Sequence, residues 1–229
     1  MRRGALLGLL AIPFALSACA ADGPGIVERI SAPAAELSTS SYRPPMRWDH
    51  RPEGDAWTET AFAALASHGA TLTAMTPADI EAWCPAYPEA SEQERKAFWT
   101  GLISALAKHE STWNPRAVGG GGKWFGLVQI APATARGYGC EARSGEALKD
   151  GEANLACAIR IMARTVARDR VVSAGMQGVA ADWGPFHSAR KREDMRSWVQ
   201  AQPYCQAKPQ SAGLGALLST KTPALAPDY

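Results

Sequence analysis

The stretch that most constrains this chain is residues 101–135, GLISALAKHESTWNPRAVGGGGKWFGLVQIAPATA, in which a helix runs into one carboxylate and then a glycine-rich turn. Over 92–109 the apolar residues Phe98, Leu102, Ile103 and Leu106 recur at spacings of three and four, which predicts a helix with one buried face. Ser91-Glu92-Gln93-Glu94 is a capping box for its start, and Asn114-Pro115 stops it. Glu110 falls four residues after Leu106 and seven after Ile103, so it continues the buried face. Burial disfavours a charged carboxylate and raises its pKa, and a carboxyl that holds a proton near neutrality can act as a general acid.

A glutamate at a helix end is more often a cap or an ion-pair partner than a catalyst. Here its surroundings favour a site. Gly119, Gly120, Gly121, Gly122 and Gly126 allow a tight backbone beside a ligand, Gln129 offers amide donors and acceptors, and Pro132 opens another short helix. Glu110-Ser111, Asn114-Pro115, Ala117, then Gly126-Leu127-Val128-Gln129-Ile130, Pro132 and Thr134-Ala135 resemble the paired signature of the soluble lytic transglycosylase (SLT) domain. That family has a lysozyme-like fold and cleaves bacterial peptidoglycan, and the resemblance covers about 85–198.

The resemblance implies an all-α, lysozyme-like fold whose substrate is the glycan strand of peptidoglycan and whose reaction uses no cofactor. It makes Glu110 the catalytic residue, acid and then base. Ser111 would be a hydrogen-bond partner behind the acid, and Gly126, Leu127 and Gln129 would position the sugar. Asn154-Leu155, preceding Ala158 and Met162, resembles a third block of the family, on a helix that lines the cleft. One block departs. The family's Ala-Tyr-Asn-Ala-Gly, whose tyrosine reaches the catalytic carboxyl, should fall in 178–185, where this chain reads GVAADWGP, with Asp182 or Trp183 in the tyrosine's place.

The chain has eight tryptophans, and Trp113, Trp124 and Trp183 are candidates for stacking on a sugar face, with a core role equally open to Trp113. Two other functions stay open. In a lysozyme-type hydrolase Asp182 would orient a water as general base, since ordinary glycoside hydrolysis takes two carboxylates. A non-catalytic wall-binding scaffold would keep the fold without the tyrosine.

At the N-terminus, Met1-Arg2-Arg3, an apolar run and Leu16-Ser17-Ala18-Cys19 describe a signal peptide over 1–18 ending in a lipobox-like sequence. Cys19 is then the lipidated first residue, and Ala20 after it points to the outer membrane, facing the periplasm of a Gram-negative bacterium. Loss of the two leader arginines lowers the formal charge from +2 to 0, which argues against nucleic acid as a partner. A monomer is expected. The other four cysteines, an even number in an exported chain, favour two disulfides. Of three possible pairings we expect Cys84–Cys205, tying the ends of the domain, and Cys140–Cys157, closing a local loop. No metal is expected: the cysteines lack a close Cys-x-x-Cys pair, and Trp113 stands where a His-Glu-x-x-His motif beginning at His109 needs its second histidine.

The expected organisation is a lipidated, Pro-, Ala- and Ser-rich tether over 19–55, a helical extension over 56–83, the lysozyme-like domain over 84–205 and a disordered tail over 206–229. Within it, helices are expected over 56–68, from Thr76-Pro77-Ala78-Asp79 to near 83, over 152–168 and over 190–200, with 140–150 a loop. Arg160, Arg164 and Arg168 form a solvated stripe on the third of these.

Overall fold

Helix α1 (Gly54–Ala66) leads into α2 (Ala70–Ala74) and α3 (Glu92–Glu110), followed by a hairpin of β1 (Val118–Gly119) antiparallel to β2 (Trp124–Phe125), then α4 (Pro132–Gly137), α5 (Gly151–Asp169) and α6 (Ala189–Gln200). This computed structural model describes residues 42–207. The architecture is mainly helical, as expected. Helix α3 is the centre: α1, α2 and α6 pack on it, and α5 packs on α1 and α2. It begins at its capping box, with the Glu94 N–H donating to Ser91 Oγ at 3.4 Å and the Ser91 N–H donating to the Glu94 carboxylate at 2.8 Å.

The expectation of one buried face on α3 is corrected by the structure. Every residue from Lys96 to Ala107 is buried, polar Thr100 and Ser104 included. The covering comes from the N-terminal side, where the Arg47 backbone N–H donates to Ser104 Oγ at 3.0 Å. Tyr204 covers another part: its ring lies so close to Gly101 that a Cβ there would collide with the hydroxyl.

That covering segment also corrects the tether, which does not run to residue 55. Met46 and Trp48 are buried to 4 % and 0 % exposure, and the Trp48 indole donates to Thr58 Oγ1 at 2.9 Å. Burying such large apolar side chains contributes about 1.5–3 kcal/mol each, enough to hold a short proline-rich segment with no periodicity of its own. The extension expected over 56–83 shares one core with the rest, since Leu65, Leu72 and Ile80 belong to the same cluster as Phe98 and Leu102. The leader, Cys19 and nearly all of the tail lie outside the described residues.

The helix expected from Thr76 is instead a short 3-10 turn, Ile80–Ala82. Asp79 is the reason: rather than capping a helix, its carboxylate accepts from the backbone N–H groups of Val172, Ser173 and Ala174. Helices α5 and α6 form where the periodicity places them, capped by Asp150 and Ser188. The loop over 140–150 carries only the 3-10 turn Ala147–Lys149. Cys84 is bonded to Cys205 and Cys140 to Cys157, closing separations of 121 and 17 residues.

Candidate active site

Glu110 is the last residue of α3, and the backbone just beyond it is tightly determined. The N–H groups of Ser111 and Trp113 both reach back to the Ala107 carbonyl, at 3.0 and 3.3 Å. Thr112 and Trp113 take the left-handed conformation, φ 53° and 56°, that this helix ending requires. The Trp113 indole then folds back and donates to the Ser104 carbonyl at 2.9 Å. The chain therefore reverses immediately after the carboxylate and leaves it at the edge of the core.

Opposite stands the glycine-rich segment. Its hairpin pairs Val118 with Phe125 and Gly119 with Trp124, and Gly120, Gly121 and Gly122 at the tip all have positive φ. A second, tighter turn follows, closed by paired backbone hydrogen bonds between Phe125 and Ile130. Asn154, fully buried on α5, holds that turn: its Oδ1 accepts from the Val128 N–H, and its Nδ2 donates to the Phe125 and Leu148 carbonyls, all at 3.0 Å. Gly126 (φ 83°) is needed because a Cβ there would run into the Asn154 amide and the Leu148 carbonyl. Gln129 (φ 50°) donates through Nε2 to Gly126 O at 3.0 Å and Ala117 O at 3.3 Å, which fixes its amide beside the hairpin.

Between these walls lies a cleft of about 400 Å³. His109, Glu110, Trp124, Gln129, Asp182 and Lys191 line it, with Trp183 behind. Trp124 is 46 % exposed and lies across Gly120, where any Cβ would meet its ring. It offers the cleft an indole surface of the kind a pyranose packs on. A smaller extension of about 50 Å³ shares Trp124, Gln129, Asp182 and Trp183 and continues toward Thr134 and Ile161.

Burial pushes the Glu110 carboxyl up to about 7, against an opposing pull from Lys191. Among the described residues no hydrogen bond reaches that carboxyl. The tyrosine hydroxyl found in this part of the molecule, Tyr138 Oη, donates instead to Asp182 at 3.3 Å. Asp182 is exposed in surface area, yet crowding at the wall is the main cause that raises its carboxyl, with Tyr138 and Arg168 opposing. Its exposure limits the size of that shift.

The structure brings Glu110, Trp124, Gln129, Asp182 and Trp183 to the cleft and puts four other candidates behind it. Ser111 Oγ donates to the Leu127 carbonyl at 2.7 Å and not to Glu110. Gly126 and Leu127 are buried and hold the turn from inside. Trp113 is spent on Ser104 and on an edge-to-face contact with His50, ring centroids 4.5 Å apart. Trp183, at 3 % exposure with its indole donating to the Val128 carbonyl at 2.8 Å, is a wall and presents no open face for stacking.

Sequence reasoning missed Lys191 and Asp194 and weighed His109 only as a zinc ligand. One Asp194 oxygen takes His109 Nε2 at 2.7 Å, and the carboxylate is also paired with Arg47 and Lys108. The Arg47 guanidinium above all holds Asp194 well below the usual carboxylate range. Nothing in residue spacing signals this cluster, whose members come from 47, 108–109 and 194. Among the described residues no group of three or more His, Cys, Asp or Glu is placed to hold a metal.

Residues 88–175 match the family model of the Transglycosylase SLT domain. The match ends just before 178–185, where the tyrosine block departs. Solved chains of Bd0314 DslA are similar over 72 % of this chain and 100 % of their own. Two glutamate-to-glutamine mutants are 28 % identical with TM-score 0.66, and the wild-type form 2 is 26 % identical with TM-score 0.62. No curated protein matches the chain. Residues 88–175 are thus similar to the SLT domain, a family of lytic transglycosylases acting on peptidoglycan, and the mainly helical fold is lysozyme-like.

Proposed function

We propose that this SLT-domain protein is a peptidoglycan lytic transglycosylase in which Glu110 serves both half-reactions. The observation that carries the reading is a half-buried carboxyl, pushed up to about 7, in a sugar-sized cleft with an exposed indole opposite. Near neutrality such a group is populated in both forms, as a residue that first gives and then takes a proton requires. Protonated Glu110 donates to the glycosidic oxygen between N-acetylmuramic acid and N-acetylglucosamine as that bond breaks. The carboxylate left behind removes the proton from the muramic C6 hydroxyl, whose oxygen closes on C1. The product is a 1,6-anhydromuramic end and no water is consumed.

Lys191 would favour the ionised form between the two steps, Gln129 would hold the sugar, and Trp124 would stack on it. Among the described residues no tyrosine hydroxyl reaches Glu110, so the acid here relies on burial and on Lys191. Asp182 in the same cleft keeps a second reading open, hydrolysis with Asp182 directing a water. Digestion of purified sacculi in ¹⁸O-water separates the two. Transglycosylation leaves every new end unlabelled, whereas hydrolysis puts one ¹⁸O on each new muramic reducing end and none on the N-acetylglucosamine end released with it. Asp182→Asn lowers the rate modestly in the first case and as severely as Glu110→Gln in the second. A protein that binds sacculi and releases nothing is a scaffold.

The address belongs to the same proposal: a monomeric lipoprotein anchored through Cys19 in the outer membrane, facing the periplasm, supported by Leu16-Ser17-Ala18-Cys19 and Ala20. Cys19→Ser should abolish incorporation of labelled palmitate, and undiminished labelling would refute the anchor.

A further inference from the structure

His109 lines the cleft next to Glu110, and the chemistry of its two nitrogens can be worked out from what surrounds it. Nε2 meets Asp194 Oδ2 at 2.7 Å. Asp194 is an ionised carboxylate, also bound by Arg47 through two nitrogens at 2.6 and 3.0 Å and by Lys108 at 3.1 Å. A carboxylate so placed can only accept, so Nε2 carries the proton. The groups facing the imidazole are Asp194 from α6, Lys108 from α3 and Arg47 from the N-terminal segment. Burial above all lowers its pKa, Asp194 opposes, and the two cations add to the lowering, so the ring is neutral at pH 7. In a neutral imidazole with Nε2 protonated, Nδ1 is an acceptor, and no described residue donates to it.

We propose that His109 is a substrate-positioning residue whose Nδ1 accepts a hydrogen bond from a glycan hydroxyl held beside Glu110, with Asp194 and Arg47 fixing the ring's orientation. The proposal rests on the glycan-cleaving reading for the nature of the donor. It also gives residues 42–50 a role in the site: Arg47 locks Asp194 while Met46 and Trp48 root the segment in the core. The side chain of His109 is 14 % exposed, enough for one polar edge to face the cleft.

The test uses two substitutions that each keep one half of the imidazole. Glutamine can place an amide N–H where Nε2 was, keeping the Asp194 bond and losing the acceptor. Asparagine can place a carbonyl oxygen where Nδ1 was, keeping the acceptor and losing Asp194. Both are made in the full chain carrying Glu110→Gln, and binding of soluble, uncross-linked glycan strands is measured, so that affinity is read without turnover. Substrate positioning predicts that His109→Gln weakens binding about five- to tenfold while His109→Asn stays within about twofold of its parent. Melting temperatures should rank in the opposite order. If affinity follows melting temperature, or if both variants bind as the parent does, the proposal fails and His109 is only a strut. ¹⁵N spectra of wild type with the proton on Nδ1 would overturn it as well. Loss of the transglycosylase reading leaves a different trace, unaltered sacculi with wild-type protein while the binding series still ranks as stated.

Discussion

Ser111 gives its hydroxyl to the Leu127 carbonyl at 2.7 Å, so the residue beside the acid holds the opposing loop and not the acid itself. Asn154 holds the same loop from the other side through Val128, Phe125 and Leu148. The two halves of the SLT signature are thereby a clamp that sets the distance across the cleft.

The clamp predicts a graded pair of losses. Ser111→Ala removes one hydrogen bond and leaves a carbonyl unpaired, costing about 1–2 kcal/mol. Asn154→Ala strands the buried Val128 N–H and the Leu148 carbonyl, leaves the Phe125 carbonyl with only the Ile130 N–H, and should cost about 3 kcal/mol or more. Urea unfolding at unchanged m-value measures both, and equal midpoints for the two variants would contradict the account.

A second prediction follows from the direction in which Glu110 is shifted. Its folded pKa, about 7, lies above the ordinary 4.5, so ionising it in the folded state is disfavoured. The sign is opposite to that of a salt-bridged carboxylate: the penalty is absent below the unfolded pKa, grows as pH rises from about 4.5, and is complete above about 7. Glu110→Gln removes it. The variant should match wild type at pH 4 and exceed it at pH 8 by on the order of 1–2 kcal/mol, discounted for the side chain's partial exposure. Melting curves across that range check this. Lys191→Met, which removes a cation pulling the other way, should raise the carboxyl further, so that the penalty keeps growing past pH 7 and the variant loses most stability at pH 8.

Much of this was legible beforehand, because the signals were local. The Ser91–Glu94 box, the run of α3 to Glu110, the glycine turn and the apolar period of α5 over 152–168 each depend on residues within a few positions of one another. Two things were not. Met46 and Trp48 bury a segment without any period to reveal it, and that segment turns α3 from a half-buried helix into a wholly buried one. The Arg47–Asp194–His109 cluster joins residues 147 and 85 positions apart, and only the packing of α6 against α3 brings them together.

The disulfides give a third prediction. Closing 121 residues, Cys84–Cys205 should contribute about 5 kcal/mol on the chain-entropy account, against about 3 kcal/mol for the 17-residue loop of Cys140–Cys157. Double serine replacement at each pair, followed by urea unfolding, should therefore destabilise more for the first. The reverse order would mean that strain or denatured-state structure outweighs loop length here.

The most direct measurement is the mass spectrum of fragments released from purified sacculi by wild-type protein and by Glu110→Gln at pH 7. The account predicts muropeptides ending in 1,6-anhydromuramic acid from wild type. It predicts a loss in the variant at or beyond the upper end of the roughly hundred- to ten-thousand-fold range that acid–base catalysis supplies. Reducing ends in the wild-type digest, or anhydro ends released undiminished by Glu110→Gln, would contradict it.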